Sequence, residues 1–119
     1  MNNLPLQKYL EDFSRWESQI QGDGWFFSRI CDQLVASLSP ADCFSVADEI
    51  AKLVLVERNN SIRLELASAI YALARASNTT EMPPQLSANW QSFTESLCVP
   101  EDPHRTQLKA IQAWYRVSP

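Results

Sequence analysis

The sequence predicts an all-α protein, a compact bundle of five or six helices forming one domain over residues 1–119, and three observations carry that prediction. Apolar residues recur at spacings of three and four in every long segment. Helix-start signals stand at Ser39 and Pro40, at Pro83 and Pro84, and at Asp102 and Pro103. Only two glycines, Gly22 and Gly24, interrupt 119 residues.

The first helix is expected over residues 5–20, where Leu6, Tyr9, Leu10, Phe13, Trp16 and Ile20 share a face and Glu11 and Arg15 sit four apart on the wet side. Gly22 is suited to the left-handed conformation that ends helices. The second helix, residues 25–38, gathers Phe27, Ile30, Cys31, Leu34, Val35 and Leu38 on one stripe. Trp25 falls nearly opposite, beside Arg29 and Asp32. It reads either as an exposed anchor for a partner or, the commoner use of a terminal aromatic, as a staple folded over the helix start against the first helix.

Ser39, Pro40 and Asp42 open the third helix with a cap, a first-turn proline and a charge that favours the positive end of the dipole. Cys43, Val46, Ala47, Ile50 and Val54 face the core, and Asp42, Ser45, Glu49 and Lys52 form a polar stripe. Residues 53–56 have strand propensity but no strand to pair with, so they are read as helix. The fourth helix, residues 61–77, is apolar around most of its circumference through Ile62, Leu66, Ala67, Ala69, Ile70, Leu73 and Ala74, extended by Leu64 and Tyr71, which places it in the middle of the fold. A polar loop at 78–83 leads to a fifth helix, with Leu86, Trp90, Phe93 and Leu97 in register. Glu101, Asp102 and Pro103 start a sixth, with Leu108, Ile111 and Tyr115 on one face and Trp114 alongside. Pairing consecutive helices gives hairpins beginning near residues 5, 40 and 84, a spacing similar to HEAT-like helical repeats. Residue-by-residue self-similarity is lacking, so an irregular bundle is equally allowed.

A chain of this size buries enough surface to fold without staples. Cys31, Cys43 and Cys98 are odd in number and lie in apolar helical patterns, which reads as small core residues in a reducing compartment; only Cys43, early in its helix, approaches the setting of a reactive thiol. No basic stretch leads into an apolar run near Met1, and no 18 apolar residues are consecutive, so neither a secretion signal nor a membrane span is expected and the location read is cytoplasmic. The net charge is −4 and uneven: residues 1–60 hold nine acids and five bases, residues 61–119 five of each. Without clustered lysine and arginine, nucleic-acid binding is disfavoured, and a basic protein surface is the natural complement.

No catalytic constellation is found. His104 is the sole histidine, read in the first turn of the sixth helix and without metal-ligand neighbours. Asp48 with Glu49, and Glu101 with Asp102, are adjacent pairs rather than separated acid and base, and are read as solvated helix surface and a helix start. Four tryptophans without interleaved bases are read as core rather than as a base-stacking platform. No cofactor or metal is expected.

From residue 47 to 86 the chain runs from a carboxylate-dotted helix through the turn at Glu57 to Ser61 and the helix from Ile62 to Leu73, then into Asn78, Thr79, Thr80, Glu81, Met82, Pro83, Pro84, Gln85 and Leu86. That third of the sequence resembles the small all-helical immunity proteins carried beside bacterial polymorphic or contact-delivered toxins. The resemblance implies a cytoplasmic inhibitor that binds one cognate toxin domain and occludes its active site. It brings no family-defining contact residues. The contact positions therefore come from the surface reading alone, with Trp25 as anchor and Asp32, Asp42, Glu49 and Glu57 as charged contacts. The alternative is a helical adaptor or self-associating scaffold, a homodimer among its forms, using the same exposed surfaces; an unrecognised enzyme has little support.

Overall fold

The computed structural model describes residues 4–22 and 24–117. Among them the chain is all-α. Its elements are α1 (Leu4–Phe13), α2 (Trp16–Gln19), α3 (Phe26–Ala36), α4 (Pro40–Val56), α5 (Asn60–Ala76), α6 (Pro84–Ala88), α7 (Trp90–Ser96) and α8 (Thr106–Tyr115). The six predicted helices have become eight because the first and fifth are each interrupted. Residues 53–56 belong to α4, as the absence of a pairing strand required.

The chain divides into two compact units, Met1–Ser39 and Pro40–Pro119. In the N-terminal unit α1 and α2 pack on α3, and the core is a run of aromatic rings. Tyr9 meets Phe13 at 5.5 Å between centroids, Phe13 meets Phe27 at 5.2 Å, and Phe27 meets Phe26 edge-on at 5.4 Å and Trp16 at 6.2 Å. These are the separations at which tilted and edge-to-face pairs are favourable. The buried stripe of α3 is Phe26, Ile30 and Leu34. The sequence reading led that stripe with Phe27 instead, which is half-buried because it bridges to α1 and α2.

In the C-terminal unit α5 packs against both α4 and α8, and α4 also carries α6 and α7. All seven α5 residues expected to face the core, Ile62 through Ala74, are buried. Asn59 opens α5, its side-chain oxygen accepting the Ile62 N–H at 3.1 Å, a helix cap. On α4, Cys43, Val46, Ala47, Ile50 and Val54 are buried as expected, with Ala51 added.

Each departure from the predicted boundaries has a local cause. The first helix stops at Phe13 because serines compete for its carbonyls. Ser14 Oγ donates to Glu11 O at 2.6 Å, Ser18 Oγ to Arg15 O at 3.0 Å, and the Arg15 N–H reaches back only three residues, to Asp12 O. The fifth breaks at Asn89, whose Nδ2 donates to Gln85 O at 2.9 Å while its backbone leaves helical geometry at φ −114°, ψ 24°. The sixth begins at Thr106, three residues later than Pro103. A residue before proline avoids the helical region, so Asp102 and Pro103 form a turn instead, closed by the Arg105 N–H on Asp102 O at 3.0 Å. Arg105 is left-handed at φ 53°, and His104 lies in that turn rather than in the helix. Gly22 does not take the left-handed conformation expected of it; neither described glycine has positive φ, and Asn78, Arg105 and Arg116 do.

Candidate functional site

Trp25 caps the start of α3. It is 78% exposed, so it does not act as the buried staple that the sequence allowed. The other three tryptophans are half-buried and engaged: Trp16 against Phe27, Trp90 stacked on Phe93 at 5.7 Å, and Trp114 donating its indole N–H to Thr79 O at 3.0 Å. From Trp25, steps of four and seven along α3 reach Arg29 and Asp32, both exposed, and Ser28 and Ala36 complete an outward stripe. Two of the five sequence-nominated contacts, Trp25 and Asp32, therefore share one face of the N-terminal unit.

The other three lie in the C-terminal unit. Asp42 and Glu49 are seven apart on α4; Asp42 is half-buried, and Glu49 is exposed and paired with Lys52 at 3.2 Å. Glu57 follows α4 and works inside the turn to α5. Its Oε1 accepts the Asn59 N–H at 3.3 Å, and its carbonyl accepts from Arg63 Nε. Asp48 is not the solvated surface residue expected of it. Its Oδ1 accepts the Leu86 N–H at 3.0 Å, tying α4 to the start of α6 across 38 residues of sequence. The same carboxylate bears on Tyr115, whose phenol is pushed up to about 12, first by burial and then by that negative charge.

Sequence reasoning missed a groove of about 500 Å³ in the N-terminal unit. Pro5, Lys8, Tyr9 and Asp12 from α1, Arg15, Gln19 from α2, and Phe26, Arg29, Ile30, Gln33, Leu34 and Ser37 from α3 and its end line it. Its floor is apolar where Tyr9, Phe26, Ile30 and Leu34 are buried, and its rim carries charge and amide groups. Lys8 and Asp12 pair at 3.0 Å one helical turn apart, and Arg29 lies over the Phe26 ring at 5.7 Å. The available signal was the spacing of Lys8, Asp12 and Arg15, which falls on one helical face; counting charge over residues 1–60 together concealed it.

The three cysteines are free thiols in three settings. Cys43 is buried and its thiol is pushed up by desolvation and then by Asp42, so it is the inert core residue expected. Cys31 is half-buried. Cys98 is exposed, contrary to the core reading, because it follows α7 and its Sγ donates outward to Thr94 O at 3.2 Å. Among the described residues no group of three or more His, Cys, Asp or Glu side chains is placed to hold a metal ion, and no helix is long and apolar enough to cross a membrane. No protein-family model matches the chain, and neither does any curated protein or solved structure.

Proposed function

We propose that this chain is a protein-binding module whose principal contact is the exposed face of α3, and that it serves as an immunity protein, neutralising a cognate bacterial toxin domain by covering its active site. The observation that supports a binding role is Trp25. A tryptophan 78% exposed at the head of a helix leaves a large apolar surface in water, and interface energy is concentrated in such side chains once a partner desolvates them. Asp32, seven residues further along the same stripe, supplies a charge suited to steering encounter. The toxin-neutralising role rests on the resemblance of residues 47–86 to immunity proteins.

The test pairs this chain with the product of the reading frame immediately upstream of its gene. Co-expression should rescue growth from a toxin domain encoded there. In binding kinetics, Trp25→Ala should speed dissociation and cost on the order of 2 kcal/mol or more, whereas Asp32→Lys should mainly slow association and change its salt dependence. A folded Trp25→Ala variant that protects and binds like the parent would move the interface off α3. A gene neighbourhood without any toxin domain would favour the adaptor or self-associating scaffold instead.

A further inference from the structure

Residues 61–119 are balanced in total charge but not in its order. Their five acids, Glu65, Glu81, Glu95, Glu101 and Asp102, all precede residue 103, and three of their five bases, Arg105, Lys109 and Arg116, follow it. Arg105 and Arg116 bracket α8 and Lys109 stands within it. All three are exposed, and among the described residues none of them enters an ion pair. The nearest acids in sequence are Glu101 and Asp102, and Asp102 is engaged through its Oδ2 with the Gln107 N–H at 3.4 Å. Asp48 acts on Tyr115, on the buried side of the helix. The packed neighbour α5 does not reverse the sign, since it carries Arg63 and Arg75 against Glu65 alone.

The backbone adds a second observation. Arg105 and Arg116 are left-handed, at φ 53° and 58°, a region where glycine or asparagine is the cheaper residue; Asn78, the third described residue of this kind, is the usual choice. Arg116 has one local justification, because a cation suits the C-terminal end of a helix. Arg105 has none. It makes no side-chain cap hydrogen bond, and its charge opposes the positive end of the helix dipole. A side chain kept against such local cost points to a use outside the fold.

We infer that the exposed side of α8 docks an acidic surface of a partner protein, with Arg105, Lys109 and Arg116 receiving its carboxylates. At the helical rise the three bases span about 16 Å, the length of about five extended residues, and the two guanidinium forks match carboxylates in pairs. Nucleic acid is the weaker fit: three bases in a chain of net charge −4 do not make the extended cationic track that phosphate backbones require. A membrane surface is weaker too, because α8 exposes no large apolar side chain to insert. The inference does not depend on Trp25 or on the partner being a toxin, and its failure would leave the role of the α3 outer face untouched.

The probe is a capped hexaglutamate peptide, titrated into the full chain and followed by amide chemical shifts. Capped hexaglutamine, a single-stranded oligonucleotide and phosphatidylserine vesicles serve as comparison arms. The acidic peptide should shift amides of residues 105–116, bind more weakly as salt rises, and outbind all three. Arg105→Asn with Arg116→Asn should weaken it about tenfold, the loss expected for one to two charge-assisted contacts at a solvated site. Ala113→Lys, which adds a base on the exposed side one turn beyond Lys109, should tighten it, and this gain cannot be produced by misfolding. Arg105→Asn alone should leave the unfolding midpoint where it was or raise it, since asparagine suits both the left-handed backbone and a helix cap. A lowered midpoint would show that the arginine serves the fold and would overturn the inference. So would equal binding of hexaglutamine, preference for the oligonucleotide or the vesicles, shifts centred away from α8, or no shifts at all.

Discussion

The two units solve the core problem with different side chains. Between the long helices of Pro40–Pro119 the interior is aliphatic and small: Val46, Ala47, Ile50 and Val54 of α4 and Ala67, Ile70 and Leu73 of α5 are each at most 1% exposed, while Phe93 and Tyr115 are buried elsewhere in the unit. Alanines at these positions let two helices of 17 residues approach along their length. In Met1–Ser39 the helices are shorter and the core is made of rings, which reach across larger gaps and leave an indentation beside them. The long-helix unit has a tightly filled frame. The ring-filled unit has a groove and an exposed tryptophan.

That contrast is broken most directly by truncation in the frame. Leu73→Ala should cost about 2–5 kcal/mol, because the side chain is fully buried and its truncation leaves a cavity in the core. Denaturant unfolding should show a lower midpoint with an unchanged slope. A loss below about 1 kcal/mol would mean that α5 is not the packed centre of its unit.

Next in size is alkaline titration of Tyr115. Its phenol ionises at about 12 in the folded chain, against 10.0 for an ordinary tyrosine. The folded state therefore holds the proton more tightly than the unfolded state. Stability from this group is fully present below pH 10, falls as pH rises from 10 towards 12, and is gone above, with a slope of at most about 1.4 kcal/mol per pH unit. Tyr115→Phe should flatten the pH dependence of unfolding in that window. Asp48→Asn keeps an oxygen for the Leu86 N–H but removes the charge, so it should bring the phenol's ionisation part of the way down, with burial holding the remainder. Asp48→Ala should in addition cost about 1 kcal/mol by leaving the Leu86 N–H in the first turn of α6 without that acceptor. If Asp48→Asn leaves the tyrosine titration where it was, the carboxylate does not act on Tyr115.

A smaller effect is expected at Glu65. It is half-buried on α5, and desolvation raises its carboxyl. Folding therefore favours its neutral form, and at neutral pH the charge opposes stability. Glu65→Gln should stabilise the protein by a few tenths of a kcal/mol after allowance for solvent screening of a group this exposed. The gain should vanish in acid, where the native side chain is already protonated.

The helices themselves were legible because amphipathic spacing survives in one dimension: the buried face of α5 can be counted off residue by residue. Their interruptions were not, because they depend on side chains choosing backbone partners, as Ser14 and Asn89 do. Asp48 looked like half of a solvated acidic pair since nothing local announces that its acceptor role is with Leu86. At the candidate site, Trp25 and its stripe followed from the helical angle, but only three-dimensional structure shows which side of the tryptophan faces water. The groove was hidden for a related reason. Lys8 and Arg29 are 21 residues apart, and a charge count along the chain does not show that both line one groove.

The smallest expected change in stability, that of Trp25→Ala, best separates framework from working surface when it is set beside the large one expected at its aromatic neighbour Phe26. Phe26 is 3% exposed and Trp25 is 78% exposed. Phe26→Ala should cost about 3–5 kcal/mol, since it removes a ring from the buried stripe of α3 and from its edge-on contact with Phe27. Trp25→Ala should change stability by no more than about 0.5 kcal/mol, because most of the side chain is solvated in the folded state as in the unfolded one. Thermal and denaturant unfolding of the two variants, with helicity checked by circular dichroism, measure the difference. A destabilisation by Trp25→Ala approaching that of Phe26→Ala would show that the tryptophan folds back onto its unit in solution, and the surface on α3 would then lack its anchor.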